Sequence, residues 1–287
     1  MNIVIWGCRG SITSPGPSTI RYGGESTCIE VRTEAGDVII IAAGSGIRKL
    51  GRQLLKERSV KKINLLLTHS HWDHLAGFPF FQPAYFSRYS FALCGGSDAQ
   101  TSVLNYLMHQ MDPPYFPVNF TELKARFESG CCCNNGLCEK SLQYADRSMR
   151  CESIPLNHPN GGVGFKLSDS SGSFVFLTDN EIRYSHPGGM PRDAYVGFCR
   201  NAGLLIHDAQ FEEAEYKKTR GWGHSTFQDA LDIALDAGVQ RLGLFHHDPD
   251  RTDDELDRLV DWCRNYVRQK GSSLECFACA EGMKLSL

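Results

Sequence analysis

No apolar stretch in the 287 residues reaches the roughly 18 needed to cross a bilayer. The opening Met1-Asn2-Ile3-Val4-Ile5-Trp6 lacks the basic start and cleavable apolar run of a secretory leader. Both absences lead to the expectation of a cytoplasmic protein with no membrane partner. Charge of one sign is lacking too: 30 Lys and Arg face 33 Asp and Glu, a net of −3. Proteins that grip nucleic acid usually carry a basic excess or stripe, so nucleic acid is a less expected partner than a small molecule. Neither a low-complexity tract nor a short-period repeat is present, which excludes a disordered chain or a solenoid. A chain of this length with 41% hydrophobic residues can bury a full core, and a single domain over 1–287 is expected.

Cysteine, by contrast, is plentiful at twelve. Without a leader, a chain this large is not expected to rest on a disulfide framework. Cys8, Cys28, Cys94, Cys199 and Cys263 read as small buried hydrophobes. Cys131, Cys132, Cys133 and Cys138 crowd around Asn134-Asn135-Gly136, a loop where a structural metal or a redox role is a candidate.

Short β-branched runs bounded by glycine predict strands at Asn2–Trp6, Cys28–Arg32, Val38–Ile41 and Ile63–Leu67. Ile47, Leu50, Leu54 and Leu55 recur at helical spacing and predict a helix over Gly46–Glu57. From about 79 to 150 proline, aromatics and cysteine become common. This segment reads as an inserted cap with helices near Ala99–Met111 and Phe120–Phe127, carrying Phe80, Phe81, Tyr85, Phe86, Tyr115 and Phe116. Strands resume at Cys151–Pro155, Gly164–Leu167, Phe174–Leu177, Leu204–Ile206 and Arg241–Phe245, with helices at Thr226–Ala237 and Asp253–Gln269. Two similar β-rich halves with helices outside predict an α/β sandwich rather than a doubly wound parallel sheet.

The most informative segment is His69-Ser70-His71-Trp72-Asp73-His74, directly after a predicted strand. Residues i and i+2 of an extended segment project to one side, so His69 and His71 can share a metal. A helix starting near Trp72 would turn Asp73 and His74 toward a neighbouring position. Leaving that much polarity buried and unpaired would cost about 2–7 kcal/mol per group, so packing does not explain it. Further ligands are expected at other strand ends: His158 after Pro155, Asp179 after Leu177, and His246 after Phe245. One metal would then be held by His69, His71 and His158, the other by Asp73, His74 and His246, with Asp179 bridging. Imidazole and carboxylate suit two divalent ions, zinc first, with manganese or iron tolerated.

On these residues the chain resembles the metallo-β-lactamase-fold hydrolases, and within them the phosphodiesterase branch that includes tRNase Z. The His-x-His-x-Asp-His core, Thr178-Asp179, His158 and Phe245-His246 match the superfamily's motifs. Gly223-His224-Ser225-Thr226 resembles the branch's additional histidine motif. The resemblance implies a four-layer αβ/βα sandwich and a metal-dependent hydrolase that cleaves a phosphodiester by a two-metal hydroxide mechanism. It implies that Asp73 orients the water and accepts its proton, and that His224 lies beside the scissile phosphate. One departure stands out. Relatives usually carry an aspartate after the strand matching Val38–Ile41, where this chain has Ala42. Loss of such support behind the ligands weakens metal affinity or activity.

The absence of an extended basic arm favours a small phosphodiester, of the cyclic-nucleotide type, over folded RNA; a homodimer is allowed. The metal ligands alone leave open an acyl hydrolase acting on a thioester, lactone or lactam, an iron-containing redox protein, and a non-catalytic ligand sensor. Arg9 and Arg21 are candidate phosphate binders, Trp72 and Tyr22 candidate neighbours of the site, and His186 a candidate substrate contact. His109 and His207 read as structural.

Overall fold

The computed structural model describes residues 1–95, 103–129, 140–141 and 149–287. The first half runs β1 (Asn2–Gly7), β2 (Cys28–Arg32), β3 (Val38–Ile41), α1 (Ile47–Leu54), β4 (Lys62–Leu67), α2 (Trp72–Leu75), β5 (Ser90–Gly95), α3 (Val103–His109) and β6 (Arg126–Ser129). The second runs β7 (Lys140–Ser141), β8 (Arg150–Pro155), β9 (Val163–Asp169), β10 (Gly172–Leu177), α4 (Arg192–Cys199), β11 (Leu204–Asp208), α5 (Glu213–Thr219), α6 (Phe227–Asp236), β12 (Arg241–Phe245), α7 (Asp253–Gln269), β13 (Glu275–Ala278) and β14 (Lys284–Ser286).

These strands form two seven-stranded sheets, ordered β14-β1-β2-β3-β4-β5-β6 and β13-β12-β11-β10-β9-β8-β7. Each carries four parallel strands, β3 to β6 in one and β10 to β13 in the other. The period-2 alternation explains the layering. In β3, Val38 and Ile40 face a core shared with Ile47, Leu50 and Leu54 of α1, whereas Ile39 and Ile41 face the opposite sheet. In β10, Phe174 and Phe176 meet that inter-sheet core, while Val175 and Leu177 pack with α4, α6 and α7. Strands buried on both faces need near-continuous apolar runs, and Val38-Ile39-Ile40-Ile41 is one. The result is the expected αβ/βα sandwich. Thr226 and Thr252 start α6 and α7, each accepting from the backbone N–H three residues on.

The expected cap is corrected in part. Residues 90–95 and 126–129 are not lid but strands that extend the first sheet beyond β4. The Phe120–Phe127 stretch is not a helix: a 3-10 turn at Phe120–Glu122 leads into β6. The aromatics there supply core, since Phe91 stacks on Phe127 at 5.1 Å and Phe81 packs against Phe91 at 5.8 Å. Phe80, Phe86 and Tyr115 stay exposed. Cys8, Cys28, Cys199 and Cys263 are buried free thiols. Cys94 is buried as expected but is disulfide-bonded. Cys131, Cys132, Cys133 and Cys138 lie outside the described residues.

Candidate metal centre

The parallel strands deliver their carboxyl ends to one edge of the sandwich, and the polar residues follow those ends. β4 runs into Thr68 and His69, β10 into Asp179, β11 ends on Asp208, and β12 runs into His246. His158 arrives from the turn after β8, and α2 begins at Trp72, so Asp73 and His74 sit in its single turn. Asp179 and His246 hold left-handed backbones at φ 54° and 59°. That conformation costs a non-glycine residue on the order of 1 kcal/mol and concentrates at functional sites.

All seven expected ligands come together in two of three overlapping groups, the third being Asp179, Asp208, His224 and His246. His69, His71, His158 and Asp179 form one; Asp73, His74, Asp179 and His246 form the other; ligand atoms in each lie within 4.8 Å of one another. Asp179 divides its oxygens between them. Oδ2 lies 3.4 Å from His69 Nε2 and 3.7 Å from His158 Nε2, while Oδ1 lies 3.2 Å from His74 Nε2 and 3.3 Å from His246 Nε2.

In four of the five imidazoles the other nitrogen is already engaged, which fixes those rings. Thr68 Oγ1 lies 3.1 Å from Nδ1 of both His69 and His74. His158 Nδ1 donates to the Gly223 carbonyl and His246 Nδ1 to Gln210 Oε1, both at 3.0 Å. Such outer bonds are what orient metal-binding histidines. Close approach explains two glycines: a Cβ on Gly10 would lie 2.3 Å from His246 Nδ1, and one on Gly223 2.0 Å from His158 Nδ1. The Ser11 N–H donates to Asp73 Oδ2 at 2.9 Å.

Nε2 of His69 and His74 is buried without a hydrogen-bond partner, a costly state for a polar atom. Burial drives the His69 pKa down to about 4, leaving it neutral and able to bind a cation. His74 is pushed the other way: burial opposes its charge, but Asp179 and Asp73 raise it to about 10. The two carboxylates thus demand positive charge where the imidazoles converge. A donor set of this chemistry fits divalent metal ions.

His224 stands beside both groups. Its ring stacks on His246 at 4.7 Å, and Nδ1 donates to Asp208 Oδ2 at 2.7 Å. Burial lowers its pKa, but Asp208 outweighs this and raises it to about 9. Ser11, His71, Trp72, Asp73, Asp179, His224 and His246 line a cavity of about 250 Å³. A larger cavity of about 370 Å³, lined by Phe211, Phe227 and Trp262 among others, has no histidine in its lining.

Other candidates are not brought to the site. Arg9 is fully buried, and its guanidinium donates to the carbonyls of Gly23, Asp248 and Arg251, so it ties loops together instead of facing a phosphate. Arg21 pairs with Asp253, Asp254 and Asp257, and the Tyr22 hydroxyl donates to Asp257. His186 is buried and bonded to Glu181. His207 is buried between its neighbour's carbonyl and Asn180, and His109 is exposed beside Asp112. Sequence reasoning missed Asp208, Gln210, Thr68 and Glu181. Asp208 was legible by the rule that found Asp179 and His246, since its strand lies between theirs.

A two-sheet αβ/βα sandwich with paired His/Asp clusters at its strand ends defines a metal-binding protein of hydrolase type. The chain belongs to the beta-lactamase superfamily: the model of the beta-lactamase superfamily domain matches residues 38–247. Among curated proteins it is similar to the ribonuclease Z of Haloarcula marismortui, 24% identical over 310 aligned positions that cover 92% of this chain and 91% of that protein. A ribonuclease Z of Lactococcus lactis subsp. cremoris is 53% identical over 51 residues, 18% of this chain and 17% of that protein. Among solved structures, the short form of human tRNase Z superposes with a TM-score of 0.66 at 19% identity, covering 100% of this chain and 99% of that one. A diphosphatase from the PhnP family superposes at 0.64 with 16% identity, covering 100% and 97%.

Proposed function

We propose that the chain is a phosphodiesterase that hydrolyses a small phosphodiester of the cyclic-nucleotide type at this centre. The observation that carries the reading is the Asp208–His224 pair, an imidazole hydrogen-bonded to a carboxylate at 2.7 Å and stacked on His246, beside two four-residue groups that do not include it. A phosphodiester has an alkoxide leaving group that needs a proton, and a general acid placed there can supply it.

His69, His71 and His158 would hold one divalent ion with Asp179 Oδ2, and Asp73, His74 and His246 the other with Asp179 Oδ1; zinc suits this set best. Bound there, the ions would supply Lewis acidity, lowering the pKa of water toward about 7 and neutralising phosphate charge. Asp73, fixed by the Ser11 N–H, orients the attacking water and accepts its proton. His224 donates its proton to the leaving oxygen, and Asp208 holds the ring in the tautomer that allows it. The cavity of about 250 Å³ suits a compact substrate.

A ribonuclease reading draws support from the names of the similar proteins, ribonuclease Z and tRNase Z. The balanced charge of −3 weighs against it. Elemental analysis of purified protein, with assays on bis(p-nitrophenyl) phosphate, 3′,5′-cyclic AMP and a precursor tRNA, tests both. Two metals per chain with turnover of the first two substrates is expected. Two metals without turnover of any of the three would overturn the phosphodiesterase.

A further inference from the structure

Four tryptophans occur in the chain, and two of them are spoken for. Trp6 donates its Nε1–H to Glu30 at 2.9 Å, and Trp262 stacks on Tyr266 at 5.6 Å. The other two, Trp72 and Trp222, are 66% and 63% exposed, and neither indole stacks on a ring or makes a hydrogen bond among the described residues. Tryptophan is costly to leave in water, and exposed clusters of this kind mark places that something else covers.

Their positions are not scattered. Trp72 belongs to the first half of the molecule, between His71 and Asp73, and lines the metal-centre cavity. Trp222 belongs to the second half and immediately precedes Gly223 and His224. Two imidazoles in series join their neighbours in sequence: His71 Nδ1 lies 3.0 Å from His158 Nε2, and His158 Nδ1 lies 3.0 Å from the Gly223 carbonyl. Ile12, 63% exposed, follows Ser11, which lines that cavity.

We propose that Trp72 and Trp222 form an aromatic clamp, one jaw from each half of the sandwich, that takes the planar base of a nucleotide whose phosphate lies in the metal centre. The clamp rests on the phosphodiester reading and deepens it, because it names the recognised group as a purine or pyrimidine ring next to the scissile phosphate. Every base offers a π-face, so stacking recognises a base with little regard to its identity. The base occupies the mouth while phosphate occupies the cavity, which is the order in which a nucleotide presents them. Both jaws are exposed, so either can be removed without opening a cavity in the core.

The test compares two probes that differ only in the base. Binding of 5′-AMP and of ribose 5-phosphate to the zinc-loaded full chain is measured by titration calorimetry, in the wild-type chain and in Trp72→Ala, Trp222→Ala and the double variant. The wild-type chain should bind 5′-AMP at least ten-fold tighter than ribose 5-phosphate. Each single variant should cut that ratio at least three-fold, and the double variant should bring it near one. Affinity for ribose 5-phosphate should change less than affinity for 5′-AMP, and Trp72→Phe should keep part of the ratio. A ratio near one in the wild-type chain, or an undiminished ratio in the double variant, overturns the clamp. If the wild-type chain still hydrolyses bis(p-nitrophenyl) phosphate in that case, the phosphodiester reading survives its loss. If neither probe binds and no hydrolysis occurs, both fall.

Discussion

His224 donates through Nδ1 to Asp208 Oδ2 at 2.7 Å, and both side chains are buried. The carboxylate fixes the tautomer and, against the effect of burial, holds the imidazole pKa up to about 9. The two residues therefore act together, and their variants should share a phenotype. His224→Ala should retain two metals and lose roughly 10²–10⁴-fold in kcat, the usual contribution of a general acid. Asp208→Asn should lose activity less completely. It should also shift the alkaline limb of the pH–rate profile to lower pH, because the group that favours the charged imidazole is gone. Steady-state rates from pH 6 to 10 with metal counts check this; an unmoved limb in Asp208→Asn would show that His224 is not the titrating acid.

Glu181 has a comparable relation to His158, through the backbone. Its carboxylate is fully buried and accepts from the Tyr216 hydroxyl, the Gly221 and Gly223 N–H groups and His186 Nε2. Gly223 in turn accepts from His158. Glu181→Ala strands four donors, three of them buried, each worth about 1–3 kcal/mol when buried, and should cost roughly 3–5 kcal/mol of stability after partial rearrangement. Glu181→Gln keeps an acceptor and should cost about half as much. Urea denaturation gives the stability, and chelator competition should show zinc affinity falling with it, about ten-fold or more. Unchanged zinc affinity in a destabilised Glu181→Ala would confine this residue to a structural role.

Much of this arrangement was legible before the structure, for identifiable reasons. Val38–Ile41 and Phe174–Leu177 are buried on both faces, so their sequence had to be continuously apolar. His69 to His74 pack too much polarity behind a strand for any ordinary purpose. The failures are physical as well. β5 and β6 hide among prolines and phenylalanines that suggest a lid, although Phe91 and Phe127 are the core of the sheet's edge. α5 reads Glu213-Ala214-Glu215-Tyr216-Lys217-Lys218-Thr219 and offers a single buried residue, Tyr216, so no periodicity betrays it. Arg9 looked like a phosphate binder because a glycine-flanked arginine usually faces outward; here carbonyls from two loops close over it. The carbonyl of Gly223 and the N–H of Ser11 carry no side-chain signature at all.

Ala42 stands where the resemblance leads one to expect aspartate, and its backbone is of the kind that aspartate adopts. It is fully buried with φ 62°, a left-handed conformation that aspartate and asparagine tolerate better than alanine. Its neighbour Ala43 donates to the His74 carbonyl at 2.7 Å, so the segment abuts the metal loop. Ala42→Asp should therefore raise metal affinity by about 10- to 100-fold, with Ala42→Asn as the uncharged control giving less. Zinc competition against a chelator of known affinity decides the point. An affinity that falls in Ala42→Asp would mean that the pocket around Ala42 has closed against a carboxylate.

His247 should make the fold acid-sensitive. It is fully buried; Nε2 donates to the Cys279 carbonyl at 2.8 Å, and Nδ1 has no partner. Burial is the main cause that drives its pKa down to about 3, with the positive charge of Arg9 adding to it. An unfolded chain takes up the proton near pH 6.5 and the folded chain does not. Between pH 6.5 and about 3 the unfolded state therefore binds more protons, and stability falls as pH falls. At 1.36 kcal/mol per unit, lowering the pH from 6.5 to 4.5 should cost about 3 kcal/mol through this residue alone. Above pH 6.5 both states are neutral and the effect vanishes. His69, with its pKa at about 4, adds a similar loss in the metal-free chain, but zinc should suppress that part by holding the ring neutral. Urea denaturation of zinc-loaded His247→Gln and wild-type chains at pH 7 and 4.5 separates the two. The variant should be less stable at pH 7 yet lose less between the two values; equal losses would show that His247 takes up its proton in the folded chain.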